Sequence, residues 1–72
     1  MNITVNMLKR GVYEISNEMN TICLKYSPIM RYDTFDGKYH PGWGFYFNGE
    51  KYVYINKNSA MDAAFGILRR HN

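Results

Sequence analysis

Cys23, His40 and His71 are the side chains of this sequence best suited to nucleophilic or metal chemistry. A structural zinc site needs four clustered nitrogen or sulfur ligands, and the sequence has one cysteine, two histidines and no C-x-x-C or H-x-x-H spacing. Cys23 lies in the apolar run Ile22-Cys23-Leu24, where a small buried thiol is expected. We therefore expect neither a catalytic cysteine nor a bound metal.

The run Asp33-Thr34-Phe35-Asp36-Gly37 has carboxylates but not the ligand spacing of a calcium loop. Alternate oxygen ligands and a terminal glutamate are missing, so this run is interpreted as a turn. The sequence also has no Ser-His-Asp order, no glycine-rich phosphate loop and no close carboxylate pair. We expect a protein that is not an enzyme and that needs no cofactor.

Aromatic side chains offer a different chemistry, which is binding. Tyr46, Tyr52 and Tyr54 could stack against bases or anchor a protein partner, because tyrosine combines a rigid ring with a polar tip. Lys57 follows them and could contribute a cation. The ordinary alternative is that these tyrosines are strand residues that shield a small core.

Basic residues lie near the C-terminal end of the sequence, at Arg69, Arg70 and His71. They could contact phosphate or an acidic partner. The simpler interpretation is that they complement the negative end of a helix dipole and keep the chain in solution.

The sequence has short runs of β-prone residues separated by turn signals, and this pattern predicts an antiparallel meander. The strands of that meander would position the candidate side chains. The candidate strands are Ile3–Leu8, Val12–Ser16, Thr21–Tyr26, Met30–Phe35, Trp43–Phe47 and Tyr52–Ile55. A helix over residues 7–25 is the alternative, because apolar residues recur there at helical spacing. Interior glycine, asparagine and β-branched residues favour the strands.

The turn Asn48-Gly49 decides which rings share a face of the sheet. With a two-residue loop, Phe45 pairs with Tyr52 and shares its face with Tyr54. With a three-residue loop, Tyr46 joins Tyr52 and Tyr54 on the face opposite Phe45. The Asn-Gly pair favours the first register, and the cleaner separation of tyrosine from other apolar residues favours the second. Both stay open.

The C-terminal segment is predicted to be the one helix. Ser59 and Asp62 have the spacing of an N-terminal cap. One apolar face then follows, with two further residues at its flanks. The face is formed by Met61, Ala64, Phe65 and Leu68, with Ala60 and Ile67 beside it.

Length and composition limit the protein class. The 72 residues are enough for a single domain, residues 1–72, with a marginal core. One cysteine is typical of a reducing compartment, and no signal peptide or membrane span is recognisable. We expect a cytoplasmic protein with no membrane partner. A net charge of +3 permits a polyanionic partner without indicating one.

The segment from Trp43 to Arg70 has an aromatic strand, a glycine turn, a second aromatic strand and a capped helix. It resembles the sheet-plus-helix DNA-binding modules of phage-type integrases. That resemblance implies DNA as a partner, although such modules carry more lysine and arginine on the sheet. In size and composition the whole chain is similar to small phage accessory proteins that inhibit host machinery.

These observations predict an α+β protein, with a five- or six-stranded antiparallel sheet and one C-terminal helix on one face. We expect a phage- or mobile-element-type inhibitor that docks on a host protein. A nucleic-acid-binding module that uses an aromatic sheet face or the basic helix end is the alternative. A homodimer is a third interpretation, since a marginal core favours self-association.

Overall fold

The computed structural model describes residues 2–70. Five antiparallel strands follow one another in the sheet in the order β1-β2-β3-β4-β5, and a single helix comes after them. The predicted α+β meander with one C-terminal helix is confirmed. The elements are β1 (Thr4–Lys9), β2 (Val12–Ser16), β3 (Thr21–Asp33), β4 (Lys38–Phe47), β5 (Glu50–Tyr54) and α1 (Lys57–Arg70).

Strands occupy the first part of the chain, so the alternative helix over residues 7–25 is wrong. Gly11, at a φ of 81°, turns the chain from β1 into β2. Ile15 and Ile22 are paired across β2 and β3, and both are fully buried. The apolar residues at helical spacing are therefore divided between strands, where β-branched side chains pack well.

β3 is longer than predicted, because it joins the two candidate strands at residues 21–26 and 30–35. The pairing with β4 is irregular between Ser27 and Arg31, and this irregularity accommodates the proline between them. Residues 40–42, which lie between two candidate strands of the sequence analysis, are inside β4 instead. Pro41 is tolerated there because this part of β4 pairs with β3 alone, and its carbonyl accepts a hydrogen bond from Arg31 Nε at 3.0 Å.

Residues 27–42 form a two-stranded arm that extends beyond the rest of the sheet. β2 pairs only with residues 21–25 of β3, and β5 pairs only with residues 43–47 of β4. The protein is accordingly elongated, with extents of 42 × 24 × 19 Å. At the tip of this β3–β4 arm, the ring of Phe35 is fully exposed.

The β4–β5 hairpin has the two-residue loop. Phe47 pairs with Glu50 and Phe45 pairs with Tyr52 across it. Asn48 and Gly49 both have positive φ, at 51° and 80°, as a type I′ turn requires. The three-residue register that the sequence left open is wrong, because asparagine and glycine reach this conformation with little strain.

The core lies between one face of the sheet and α1. It is formed by strand residues and by one stripe of the helix. Ala60 and Ile67, predicted to flank that stripe, are buried, whereas Met61 and Phe65 are only partly buried. Among residues 2–70, the nine buried hydrophobic residues are Ile15, Ile22, Leu24, Phe45, Phe47, Ala60, Ala64, Ile67 and Leu68. No helix within residues 2–70 has the length and apolar character needed to cross a membrane.

The helix begins two residues earlier than the predicted cap at Ser59. Asn56 is the cap, because its Oδ1 accepts a hydrogen bond from the Ser59 N–H at 2.8 Å. The N–H groups of the first turn need an acceptor outside the helix, and Asn56 lies immediately before that turn. The S-x-x-D motif at Ser59 therefore lies within the helix.

Asn56→Ala is expected to lower the free energy of unfolding by about 1 kcal/mol, because one N–H of the first turn loses its acceptor. Asn56→Asp should keep the full stability, since aspartate caps as well as asparagine. Ser59→Ala is the matched control and should change stability by less than about 0.5 kcal/mol. Chemical denaturation measures all three variants, and a larger loss for Ser59→Ala would restore the predicted cap.

Candidate binding cleft

An open cleft of about 580 Å³ lies on the helix side of the sheet, beside the start of α1. We call it the aromatic cleft. Its volume is in the range of ligand-binding pockets, and such pockets typically combine aromatic walls with a few polar groups. It is lined by Met7, Arg10, Gly11, Tyr13, Tyr26, Trp43 and Lys57.

Strand alternation and the position of the helix place these rings. Tyr13 is two residues from buried Ile15, and Tyr26 is two residues from buried Leu24, so both rings lie on the core face. α1 starts at Lys57 near Tyr13, and its Leu68 carbonyl accepts a hydrogen bond from Asn17 Nδ2 near the far end of β2. The helix therefore covers the isoleucine and leucine side chains and leaves the rings uncovered.

The three rings contact one another around Trp43. Its ring centroid lies 6.0 Å from that of Tyr13 and 5.5 Å from that of Tyr26, with interplanar angles of 50° and 60°. Tilted pairs at these separations are favourable aromatic contacts. Tyr26 is 46% exposed. The rings consequently form tilted walls, against which an apolar or planar group could pack.

Both charged side chains that line the cleft are cationic. Lys57 Nζ lies 4.9 Å from the ring centroid of Tyr13 and donates a hydrogen bond to the Tyr13 hydroxyl at 3.3 Å. Arg10, in the turn between β1 and β2, provides the second cation. Within residues 2–70, no acidic side chain lines this cleft. The arrangement suits an apolar or aromatic group attached to an anion.

The row of three tyrosines that a three-residue loop would form is absent from the described sheet, because the two-residue register separates these residues. Tyr52 and Tyr54 lie on the core face, with ring centroids 5.0 and 6.4 Å from that of Phe45. The Tyr52 hydroxyl donates a hydrogen bond to Glu50 Oε2 at 3.2 Å. Burial is the main cause that raises the pKa of Tyr52, and the negative charge of Glu50 is the second cause. Tyr46 is 66% exposed on the opposite face.

The predicted basic residues are divided between the two ends of α1. Lys57 is in the aromatic cleft, whereas Arg69 and Arg70 are exposed in the last turn. The thirteen helical steps from Lys57 to Arg70 correspond to about 20 Å along the helix axis. Arg69 and Arg70 therefore do not belong to the cleft, and His71 lies outside the described residues.

The sheet face opposite α1, which we call the open face, carries Cys23 beside Lys25, Tyr46 and Lys51. The prediction that Cys23 is buried is wrong. It alternates with buried Ile22 along β3, so its thiol points away from the core and is exposed.

At the tip of the β3–β4 arm, Asp33, Asp36 and His40 have potential ligand atoms within 4.8 Å of one another. These carboxylates already organise the predicted turn, because each accepts a hydrogen bond from the N–H two residues later, at 2.8 Å for Asp33 and 2.9 Å for Asp36. His40 Nε2 lies 2.8 Å from Asp36 Oδ2, and this contact lowers the pKa of the Asp36 carboxyl. The contact between His40 and the ionised Asp36 therefore stabilises the folded protein at neutral pH. This contribution is lost as pH falls through the lowered pKa of Asp36.

Sequence reasoning missed Met7, Arg10, Tyr13 and Tyr26 as candidate-site residues, and it assigned Trp43 only to a strand. The alternation of Tyr13 with Ile15 was the available signal. This alternation places Tyr13 on the core face but does not show whether α1 covers its ring. A helix displaced along the sheet would have covered the same rings.

Comparison of the chain with known protein families, with curated proteins and with solved structures finds no match.

Proposed function

We propose that this chain is a non-enzymatic binding protein that docks on another protein through the aromatic cleft. The supporting observation is the residue composition of the cleft. Trp43, Tyr13, Tyr26, Met7 and Arg10 all belong to the residue types that are enriched at protein interfaces. Tryptophan, tyrosine and arginine are also enriched among the residues whose truncation causes large losses of binding energy.

The β3–β4 arm adds a second surface next to the cleft. The arm ends at Trp43, the residue from which β4 pairs with both β3 and β5. Tyr32 and Tyr39 pair on it with ring centroids 5.0 Å apart, and both rings are exposed. Exposed aromatic groups that project from the sheet suit contact with a partner of larger size.

More specifically, we propose that this binding protein is an inhibitor of the kind that phages and mobile elements direct against host proteins. The small size of the chain supports the inhibitor proposal. So does its abundance of residues with A+T-rich codons, such as the seven tyrosines and five methionines. The direct test is a photoreactive amino acid at position 26, exposed in nuclease-treated extract of the source cell. Crosslinking to one protein from position 26, and not from position 46 on the open face, is the expected result.

Single-stranded nucleic acid is the second candidate ligand. Three rings with two cations, and no lining acid among residues 2–70, are also typical of surfaces that stack bases and contact phosphates. The resemblance of residues 43–70 to integrase modules supports DNA as a partner, but through a different surface, since much of the cleft lies before residue 43.

Trp43 fluorescence separates the two candidates, because Trp43 is the single tryptophan and lies in the cleft. At physiological salt, we expect oligothymidine and a random DNA duplex to leave its emission unchanged. Micromolar binding that weakens steeply between about 50 and 200 mM salt would contradict the protein-docking proposal and favour nucleic acid.

A further inference from the structure

The outer edge of β1 is unpaired and lies next to the aromatic cleft. Among residues 2–70, β1 pairs with β2 and with no other strand. All six residues of β1 are exposed, and α1 packs mainly against the other four strands. An unpaired strand edge presents a row of N–H and C=O groups that an additional strand can bind.

Between Thr4 and Met7 the composition of β1 leaves this edge unprotected, whereas the register shift between Met7 and Lys9 and the charge of Lys9 interrupt it at the end of the strand. Natural sheets usually protect an edge strand with central charges, proline, a bulge or short length. Between Thr4 and Leu8, β1 has neither a charged residue nor a proline, and Val5 and Met7 are 40% and 63% exposed. β5, at the opposite edge, has only five residues and begins with Glu50 and Lys51.

Met7 connects the edge to the cleft. It lies on β1 opposite Tyr13 and also lines the aromatic cleft. A strand added beside β1 would be about 5 Å away, with every second side chain on the cleft side. Arg10 follows the end of β1 directly, so a carboxylate near that end of the added strand would meet a cation.

We propose that β1 binds an extended segment of the partner protein as a sixth strand of the sheet. This inference rests on the proposed docking of a protein at the aromatic cleft. The segment has apolar side chains at alternate positions, which pack beside Val5 and Met7. It also carries an acidic residue that contacts Arg10 and Lys57. Backbone hydrogen bonds to β1 provide affinity, and the cleft provides specificity.

The test begins with short random peptides, displayed and selected on the intact chain. We expect the enriched peptides to combine apolar residues at alternate positions with aspartate or glutamate. A selected peptide should bind the double variant Arg10→Gln/Lys57→Gln about tenfold more weakly than the parent. Lys25→Gln/Lys51→Gln is the matched control, because it removes the same charge from the open face and should keep the affinity. Equal losses in both variants would overturn the assigned charge contact.

Amide hydrogen exchange then tests the strand addition itself. In the free chain, alternate amides of β1 point away from β2 and should exchange fast. The selected peptide should slow exchange at these amides and also change Trp43 emission. A change at Trp43 without protection of β1 overturns the sixth strand and keeps docking at the cleft. Peptides that leave Trp43 emission unchanged contradict the proposed function as well.

A proline substitution gives a second test. N–H groups of neighbouring strand residues point in opposite directions, so one of Val5 and Asn6 directs its N–H outward. Proline at the fast-exchanging position should keep the fold and abolish peptide binding, because it removes the outward donor. Unchanged binding in a folded proline variant contradicts the proposal. Protection of β1 in a peptide-free dimer would instead assign this edge to a second copy of the chain.

Discussion

Phe45→Ala is expected to lower the free energy of unfolding by about 3 to 5 kcal/mol, which is enough to unfold much of a domain of this size. Phe45 is 3% exposed and stacks on Tyr52 and Tyr54 at the centre of the core face. Its removal therefore leaves a cavity between the sheet and α1, and it also removes two ring contacts. Chemical denaturation followed by circular dichroism measures the loss.

Tyr46→Ala is the matched control, because it truncates the next ring along β4 on the opposite face. Tyr46 is 66% exposed, so its truncation should change stability by less than about 1 kcal/mol. Equal losses at positions 45 and 46 would contradict the described register, since a slip of one residue would exchange their faces.

Tyr26→Ala is expected to weaken ligand binding about 30-fold, which corresponds to about 2 kcal/mol. The ring forms one wall of the aromatic cleft and is 46% exposed, so it is available to a ligand. The fold should survive, because Tyr26 lies outside the buried core. Isothermal titration with a selected peptide measures affinity, and a thermal melt of the same sample checks folding.

Tyr46→Ala distinguishes this site from the one predicted from the sequence. If the aromatic cleft is the binding site, peptide affinity depends on Tyr26 and not on Tyr46. If Tyr46→Ala weakens binding while Tyr26→Ala does not, the tyrosine on the open face is the anchor. Equal and small effects of both variants would contradict a tyrosine anchor at either place.

Local patterns predicted most of the elements. Asn48-Gly49 and the alternating runs around it predicted the β4–β5 hairpin, because few residues adopt the positive φ of a type I′ turn. The apolar spacing after residue 59 predicted α1 and the side of it that faces the sheet, although the centre of the buried stripe is shifted from Met61 and Phe65 towards the predicted flank. These features depend on residues close in the chain, so the sequence alone was sufficient to predict them.

The lengths of β3 and β4 could not be predicted in the same way. Pro28 and Pro41 indicate chain breaks in a sequence, yet both lie within strands here. The β3–β4 arm has only two strands, so prolines lose few ladder hydrogen bonds within it. Whether a strand has one neighbour or two is a property of the whole sheet.

The sequence by itself determined that one face of the sheet is apolar and aromatic, because strand alternation assigns Ile15, Leu24 and Phe45 to a core face. Only the tertiary structure decided which part of that face is core and which part is a site. α1 covers the aliphatic part and begins at Lys57, so Tyr13 and Trp43 stay accessible beside it. The physical reason is that burial depends on the position of a covering element, which periodicity within a strand does not encode.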